Sequence, residues 1–166
     1  MRVCLTREIS ENQMNWRNHP AINSFTRQNG VIGQVDMERW RHRIAKDPSI
    51  EMFGILATDK KNENIGTCGL TSISYIHGTA EFSLLINPEL QGRGYGTDSL
   101  KALLQYGFEN MRLNCIWGET FETNPALKMF KKIGMTEEGR LRQRYFKAGK
   151  YLDSIIVSIL ASEFKT

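Results

Sequence analysis

A mixed α/β (α+β) fold in one domain is what this sequence predicts, and three observations predict it. Its 166 residues are 40% hydrophobic and 24% charged, the size and balance of one globular domain with a real core. Runs of β-forming residues separated by turn residues fill Met52 to Ile86, which reads as an antiparallel meander. Beyond Thr97 strands and helices alternate, so both parts belong to one central, mostly antiparallel mixed sheet. No repeat, low-complexity tract or Pro/Ser/Gly-rich linker divides residues 1–166.

The elements follow in order. Arg2 to Thr6 reads as a short strand, and Ser10 to Asn18 as a short helix ending before Pro20, because a residue preceding proline avoids the helical region. His19 to Gly33 has no clear period and reads as a loop or as a short helix whose bounds the sequence does not set. Asp36 to Lys46 reads as a helix: Met37, Trp40 and Ile44 fall at i, i+3 and i+7, Asp36 stands near the start as a cap, and Pro48 closes the end. Met52 to Thr58, Ile65 to Ser72 and Thr79 to Ile86 read as strands, with a polar turn over Asp59 to Asn64. Thr97 to Met111 is the strongest helix, since Leu100, Leu103, Leu104, Gly107, Phe108 and Met111 share one face. Leu113 to Gly118 reads as a strand, Pro125 to Ile133 as a helix closed by Gly134, and Ser154 to Leu160 as a last strand after the turn Ala148 to Lys150.

Composition excludes several function classes. No run of apolar residues approaches eighteen, and the start, MRVCLTREIS, lacks the apolar core of a signal peptide, so the expectation is a cytoplasmic protein with no membrane partner. Cys4, Cys68 and Cys115 are isolated and odd in number, which argues against a disulfide framework or thiolate zinc site and reads as three reduced core residues. His19, His42 and His77 have no metal-ligand spacing, so no metal is expected. The net charge of +4 is spread evenly over the two halves, too small a footprint for nucleic-acid binding. One local excess stands out: from Lys128 to Lys150 eight basic residues face only Glu137 and Glu138, a surface that could meet a polyanion or simply be solvated.

The stretch with the most chemical content is Glu81 to Leu104. A strand leads into Gln91-Gly92-Arg93-Gly94-Tyr95-Gly96-Thr97, which opens directly into the strong helix. Glycines at 92, 94 and 96 let the backbone turn sharply and leave amide N–H groups facing an anion at the positive end of a helix dipole. This is a phosphate cradle, with Arg93 adding a full charge. It is neither a Walker loop nor a dinucleotide fingerprint, because the Lys-Ser/Thr and the Gly-x-Gly-x-x-Gly spacing are both missing.

These residues resemble the GNAT superfamily of acetyl-CoA-dependent N-acetyltransferases, whose Gln/Arg-x-x-Gly-x-Gly/Ala turn is matched by Gln91 to Gly96. Asn124 to Met135 is similar to that family's Asn-x-x-Ala-x-x-x-Tyr-x-x-x-Gly-Phe segment. Glu138 to Arg142, Gly149 to Asp153 and Trp16-Arg17-Asn18 resemble its RimJ/RimL branch. The resemblance implies helices on both sheet faces and a strand that splays from its neighbour at the cofactor. Leu84, Leu85 and Ile86 would then pair with the pantetheine amides as an added strand does. Gln91 and the turn Gly92, Arg93, Gly94, Tyr95, Gly96 and Thr97 would hold the pyrophosphate of acetyl-CoA. Asn124 would bond the pantetheine arm, Phe130 would line the cofactor site, and Lys128, Lys131 and Lys132 would lie near the 3′-phosphate.

The reaction implied is direct acetyl transfer to a primary amine. An α-amine with pKa about 7.7 to 8.0 is partly neutral at pH 7 while a lysine amine near 10.4 is not, so a weak base or a carboxylate-held water suffices for the former. Glu119 is the first candidate, five residues before Asn124, the offset of the base in relatives of bacterial N-terminal acetyltransferases. Glu122, Glu81 and a water stay open. Strand alternation puts Glu119 and Phe121 on one face and Glu122 on the other. The family's acid is a tyrosine where this chain has Phe130, so the proton donor is left among Tyr145, Tyr151, Ser83, Cys115 and water. Trp16 and Trp40 read as core residues or as the acceptor wall, and Arg17 and Arg27 as meeting an acidic acceptor or pairing on the surface. The acceptor is a protein N-terminus, polyamine, aminoglycoside or amino-sugar nucleotide, the last favoured by the resemblance. The competing expectation, prompted by Phe130, is a non-catalytic acyl-CoA sensor. An exposed sheet edge and the final strand would suit a homodimer, though that strand could equally be internal.

Overall fold

The structure is a computed structural model that describes residues 2–165. Seven strands form one sheet in the order β1-β2-β3-β4-β5-β7-β6. The strands are β1 (Val3–Thr6), β2 (Glu51–Ala57), β3 (Glu63–Ser74), β4 (Thr79–Ile86), β5 (Cys115–Phe121), β6 (Thr136–Lys147) and β7 (Lys150–Leu160). Neighbours are antiparallel except β4 and β5, which run parallel. The helices are α1 (Gln13–Asn18), α2 (Pro20–Asn23), α3 (Gln34–Lys46), α4 (Tyr95–Gln105) and α5 (Ala126–Ile133).

Alternation along β4 sends helices to both faces. Leu85 packs with Trp16 of α1 and Ile22 of α2. Ile86 points the other way, into the main core with Leu100, Leu103 and Leu104 of α4 and Phe130 of α5, as a period of two requires. The cap expected at α3 is present: Asp36 Oδ2 accepts from the Gly33 amide at 2.9 Å.

Four readings need correction. The helix expected through Met111 stops at Gln105 and continues as a π turn over Tyr106–Asn110. The widened turn lets Gly107 sit against β5, where an added Cβ would meet Ile116 Cδ1 at 2.6 Å. β5 begins later than expected, because Leu113 and Asn114 spend their amides on Gly107 and Gly78 carbonyls, and it runs past the expected end at Gly118 to Phe121. β6 is a twelve-residue strand that hydropathy did not reveal, since an edge strand rich in charge has no apolar face to read. Finally, of the three free cysteines Cys68 is buried, Cys115 partly so and Cys4 exposed, because β1 turns Val3 inward and Cys4 outward.

Candidate active site

The site begins where two parallel strands part. β4 and β5 pair at Thr79–Cys115, Ala80–Ile116 and Glu81–Trp117 and no further. At the next position Gly118 leaves room for the Phe82 ring, which lies within 2.3 Å of where a Cβ would stand and meets Phe130 edge-on at 5.1 Å. Beyond it the arms diverge, and Ser83 to Ile86 keep β3 on one side but have no β5 partner on the other.

Two voids occupy this fork. The first, about 570 Å³, is lined by Leu84, Leu85, Ile86, Gln91, Gly92, Gly94, Gly96, Thr97 and Asn124. Gly92 and Gly94 take φ of +74° and +90°, a backbone that glycine adopts freely, and the amides that follow open α4 with no intrahelical acceptor. Gly96 lies 3.3 Å from Met129 Sδ by its hypothetical Cβ, so α4 and α5 close around the void. Arg93 and Tyr95 do not line it. The Arg93 carbonyl accepts from Arg2, and the Tyr95 hydroxyl turns away to Asp59 at 3.0 Å; burial, then Asp59, raises its pKa. Asn124 spends its side chain locally, donating to Thr120 Oγ1 at 2.7 Å and accepting from the Ala126 amide at 2.9 Å.

The second void, about 610 Å³, is lined by Glu81, Ser83, Leu84, Glu119, Asn124 and Phe130 on the sheet side and by Arg17, Arg27, Trp40 and Arg43 opposite. Leu84, Asn124 and Ala126 line both voids, so the two meet. The Glu119 side chain is 7% exposed. Its Oε1 accepts from Ser154 Oγ at 2.5 Å and its Oε2 from Arg27 Nη1 at 3.4 Å. Arg27 also grips Glu81, which makes it a bridge between the two arms. Burial works against its charge, but Glu81 and the Tyr145 hydroxyl outweigh this and raise its pKa. Glu122 is paired with Arg140 and shares no partner with Glu119.

Three of the eight basic residues from Lys128 to Lys150 are tied into the structure. Arg140 binds Glu122 and Asp153, and Lys131 binds Glu137 at 3.0 Å. Lys147 donates to three carbonyls of one loop, Asn23, Thr26 and Gln28. Of the proposed proton donors, Ser83 lines the cavity and Tyr145 meets Arg27, while Tyr151 is 63% exposed and Cys115 sits at the closed end of the fork. Trp40 lines the cavity; Trp16 is buried under β4 instead. Sequence reasoning missed Ser154 and Lys147, whose partners are 35 and about 120 residues away. Among the described residues no cluster of His, Cys, Asp or Glu could hold a metal, and no helix is long and apolar enough to cross a membrane.

A family model for the acetyltransferase (GNAT) domain matches residues 5–136. The spermidine N(1)-acetyltransferase of Vibrio cholerae is 35% identical over 107 residues, 64% of this chain and 62% of that protein. The Escherichia coli spermidine N(1)-acetyltransferase is 31% identical over 103 residues, 61% of this chain and 55% of that protein. These matches span less than two thirds of the length of either relative. Among solved structures, spermidine N-acetyltransferase from Vibrio cholerae in complex with CoA and spermine superposes with a TM-score of 0.88 at 27% identity, covering 98% of this chain and 97% of that one. With a family model matched over most of its length, this chain belongs to the acetyltransferase (GNAT) domain family.

Proposed function

We propose that this chain, acting as a single domain of the RimJ/RimL type, transfers the acetyl group of acetyl-CoA to a primary amine. The observation that carries the reading is the junction of the two voids at Leu84, Asn124 and Ala126, with a glycine cradle at one end and a buried carboxylate at the other. The residues fit the donor. Gly92 is open above its backbone, the first-turn amides of α4 are free for a pyrophosphate, and the unpaired edge of Ser83 to Ile86 suits the amides of an extended arm. When bound, acetyl-CoA supplies a thioester carbonyl and a thiolate leaving group.

The chain's own residues supply the rest. Glu119 takes the proton of the attacking amine, directly or through a water, while Ser154 and Arg27 hold its two oxygens in place. Phe130 and Phe82 give the reacting centre an apolar wall. Phe130 has no proton to give, so protonation of the thiolate falls to Ser83, Tyr145 or water; a leaving thiol of pKa about 8.5 makes this a modest demand. Spermidine acetylation by the named relatives makes polyamines one acceptor class to test beside peptide N-termini, aminoglycosides and amino-sugar nucleotides. The cytoplasm is the proposed location of this activity; the final strand β7 is internal, between β5 and β6, so the exposed edge open to a homodimer on that side is β6.

Free-thiol release from acetyl-CoA across these amines tests the reading. Turnover with one class is expected, abolished by Gly94→Glu, and lowered about 10² to 10⁴-fold by Glu119→Gln with acetyl-CoA binding intact. Phe130 favours one other reading, a non-catalytic acyl-CoA sensor; binding without thiol release for every amine is its signature. Absence of acetyl-CoA binding overturns both.

A further inference from the structure

We propose that Arg17, Trp40 and Arg43 form an anion subsite in the acceptor cavity, so that the amine acetylated here carries a phosphate or carboxylate group; this rests on the acetyltransferase reading. Six charged side chains line the cavity, three arginines and three carboxylates, but they are not mixed. Glu81 and Glu119 share Arg27 on the sheet side, an excess of one negative charge where the amine must react. On the wall built by α1 and α3, Arg17 and Arg43 face Asp47, an excess of one positive charge. The cavity is therefore polarised to match a molecule with an ammonium at one end and an anion at the other.

The positive wall is short of partners. Arg17 lies 5.7 Å from the centre of the Trp40 ring, and neither Arg17 nor Arg43 has an ion pair or side-chain hydrogen bond among the described residues. Burial depresses the Arg17 pKa with no carboxylate acting to restore it. Asp47 turns its Oδ1 to Ser49, accepting from the amide at 2.9 Å and the hydroxyl at 2.6 Å. A desolvated guanidinium on an aromatic face binds a planar carboxylate or a phosphate through paired N–H groups. Trp40 and Arg43, three apart on α3, present ring and charge on one helix face. The segment joining α1 to α3, which lines the cavity at Phe25 to Gln28, argues the same way, since residues 19–35 contain no Asp or Glu, whereas a polycation needs carboxylates along its length.

The test is calorimetric titration of the CoA-saturated protein with pyrophosphate and, separately, malonate, so that the cradle is already filled. Saturable binding is expected, and the stronger of the two anions assigns the group as phosphate or carboxylate. Arg17→Gln should weaken it about tenfold or more, Arg17→Lys should restore part of it, and Lys101→Gln, an equal charge change on α4, should leave it unaltered. If neither anion binds, if Arg17→Gln leaves the affinity unchanged, or if spermidine binds more tightly than both anions, the subsite is overturned. Titration of acetyl-CoA alone separates this failure from failure of the acetyltransferase reading, because unchanged acetyl-CoA binding in Arg17→Gln also shows that the variant is folded.

Discussion

At Cys68 burial alone sets reactivity. Its thiol is fully enclosed, and burial pushes its pKa up to about 12, so essentially no thiolate exists near neutrality. Cys115 is raised in the same direction, chiefly by burial. Cys4 is exposed on β1. Iodoacetamide at about pH 7.5 should therefore alkylate Cys4 first and Cys68 only on unfolding, with rates read by mass spectrometry of the intact chain and its peptides; modification of Cys68 in the native protein would contradict this packing. The sequence singles out Glu119 as a candidate through the family resemblance, by its offset from Asn124, and strand alternation only separates it from Glu122. The supports of Glu119 were not readable. Ser154 and Arg27 lie 35 and 92 positions away, and no local pattern marks a serine on a strand as the partner of a buried carboxylate.

Among the elements, hydropathy exposed those with a buried side and hid the others. β2 to β4 and α4 each bury an apolar face or run, which is what periodicity detects. β6 buries almost none of its side chains and owes its place to β7 and to polar ties. Asp153 supplies two of these, accepting from the Gln143 amide at 2.7 Å and from Arg140 Nε at 2.6 Å. Gln143 has φ of +50° inside the register shift between Leu141 and Tyr145, so the carboxylate holds the amide of a β-bulge. The Gln143 amide first, and Arg140 next, lower the Asp153 pKa. A lowered carboxylate pKa means stability that is complete above the unfolded value of about 3.9 and lost as pH falls through the folded value. Asp153→Asn should therefore melt several degrees lower than the parent near neutrality, and the gap should narrow once the pH drops below about 3.9. Thermal melts at several pH values read this, and a gap that stays constant into acid would show that the carboxylate charge does not hold the bulge.

Across the whole molecule the fork between β4 and β5 depends on a contact no single element contains. Lys147, near the end of β6, fills three carbonyls of the loop around residues 23–28, and burial lowers its pKa. That loop carries Arg27, which bridges Glu81 on β4 to Glu119 on β5. A charge on the far edge of the sheet is thus coupled to the candidate base through one loop, while the donor void on the α4 side touches the loop at Phe25 and Thr26. Removing the ammonium leaves three carbonyls without their donor and frees the loop to move. Lys147→Met keeps most of the side-chain bulk but removes the ammonium, both from the three carbonyls and from its place 5.9 Å from the centre of the Phe121 ring. It should raise the acceptor KM about tenfold or more and lower kcat, with acetyl-CoA affinity changed much less, because displacing positioning groups by about 1 Å costs on the order of 10²-fold in rate. Lys147→Arg, too broad to satisfy the same three carbonyls, should recover little. Equal losses in acetyl-CoA and acceptor affinity would mean that the loop serves both voids alike and that the coupling through Arg27 is not what Lys147 provides.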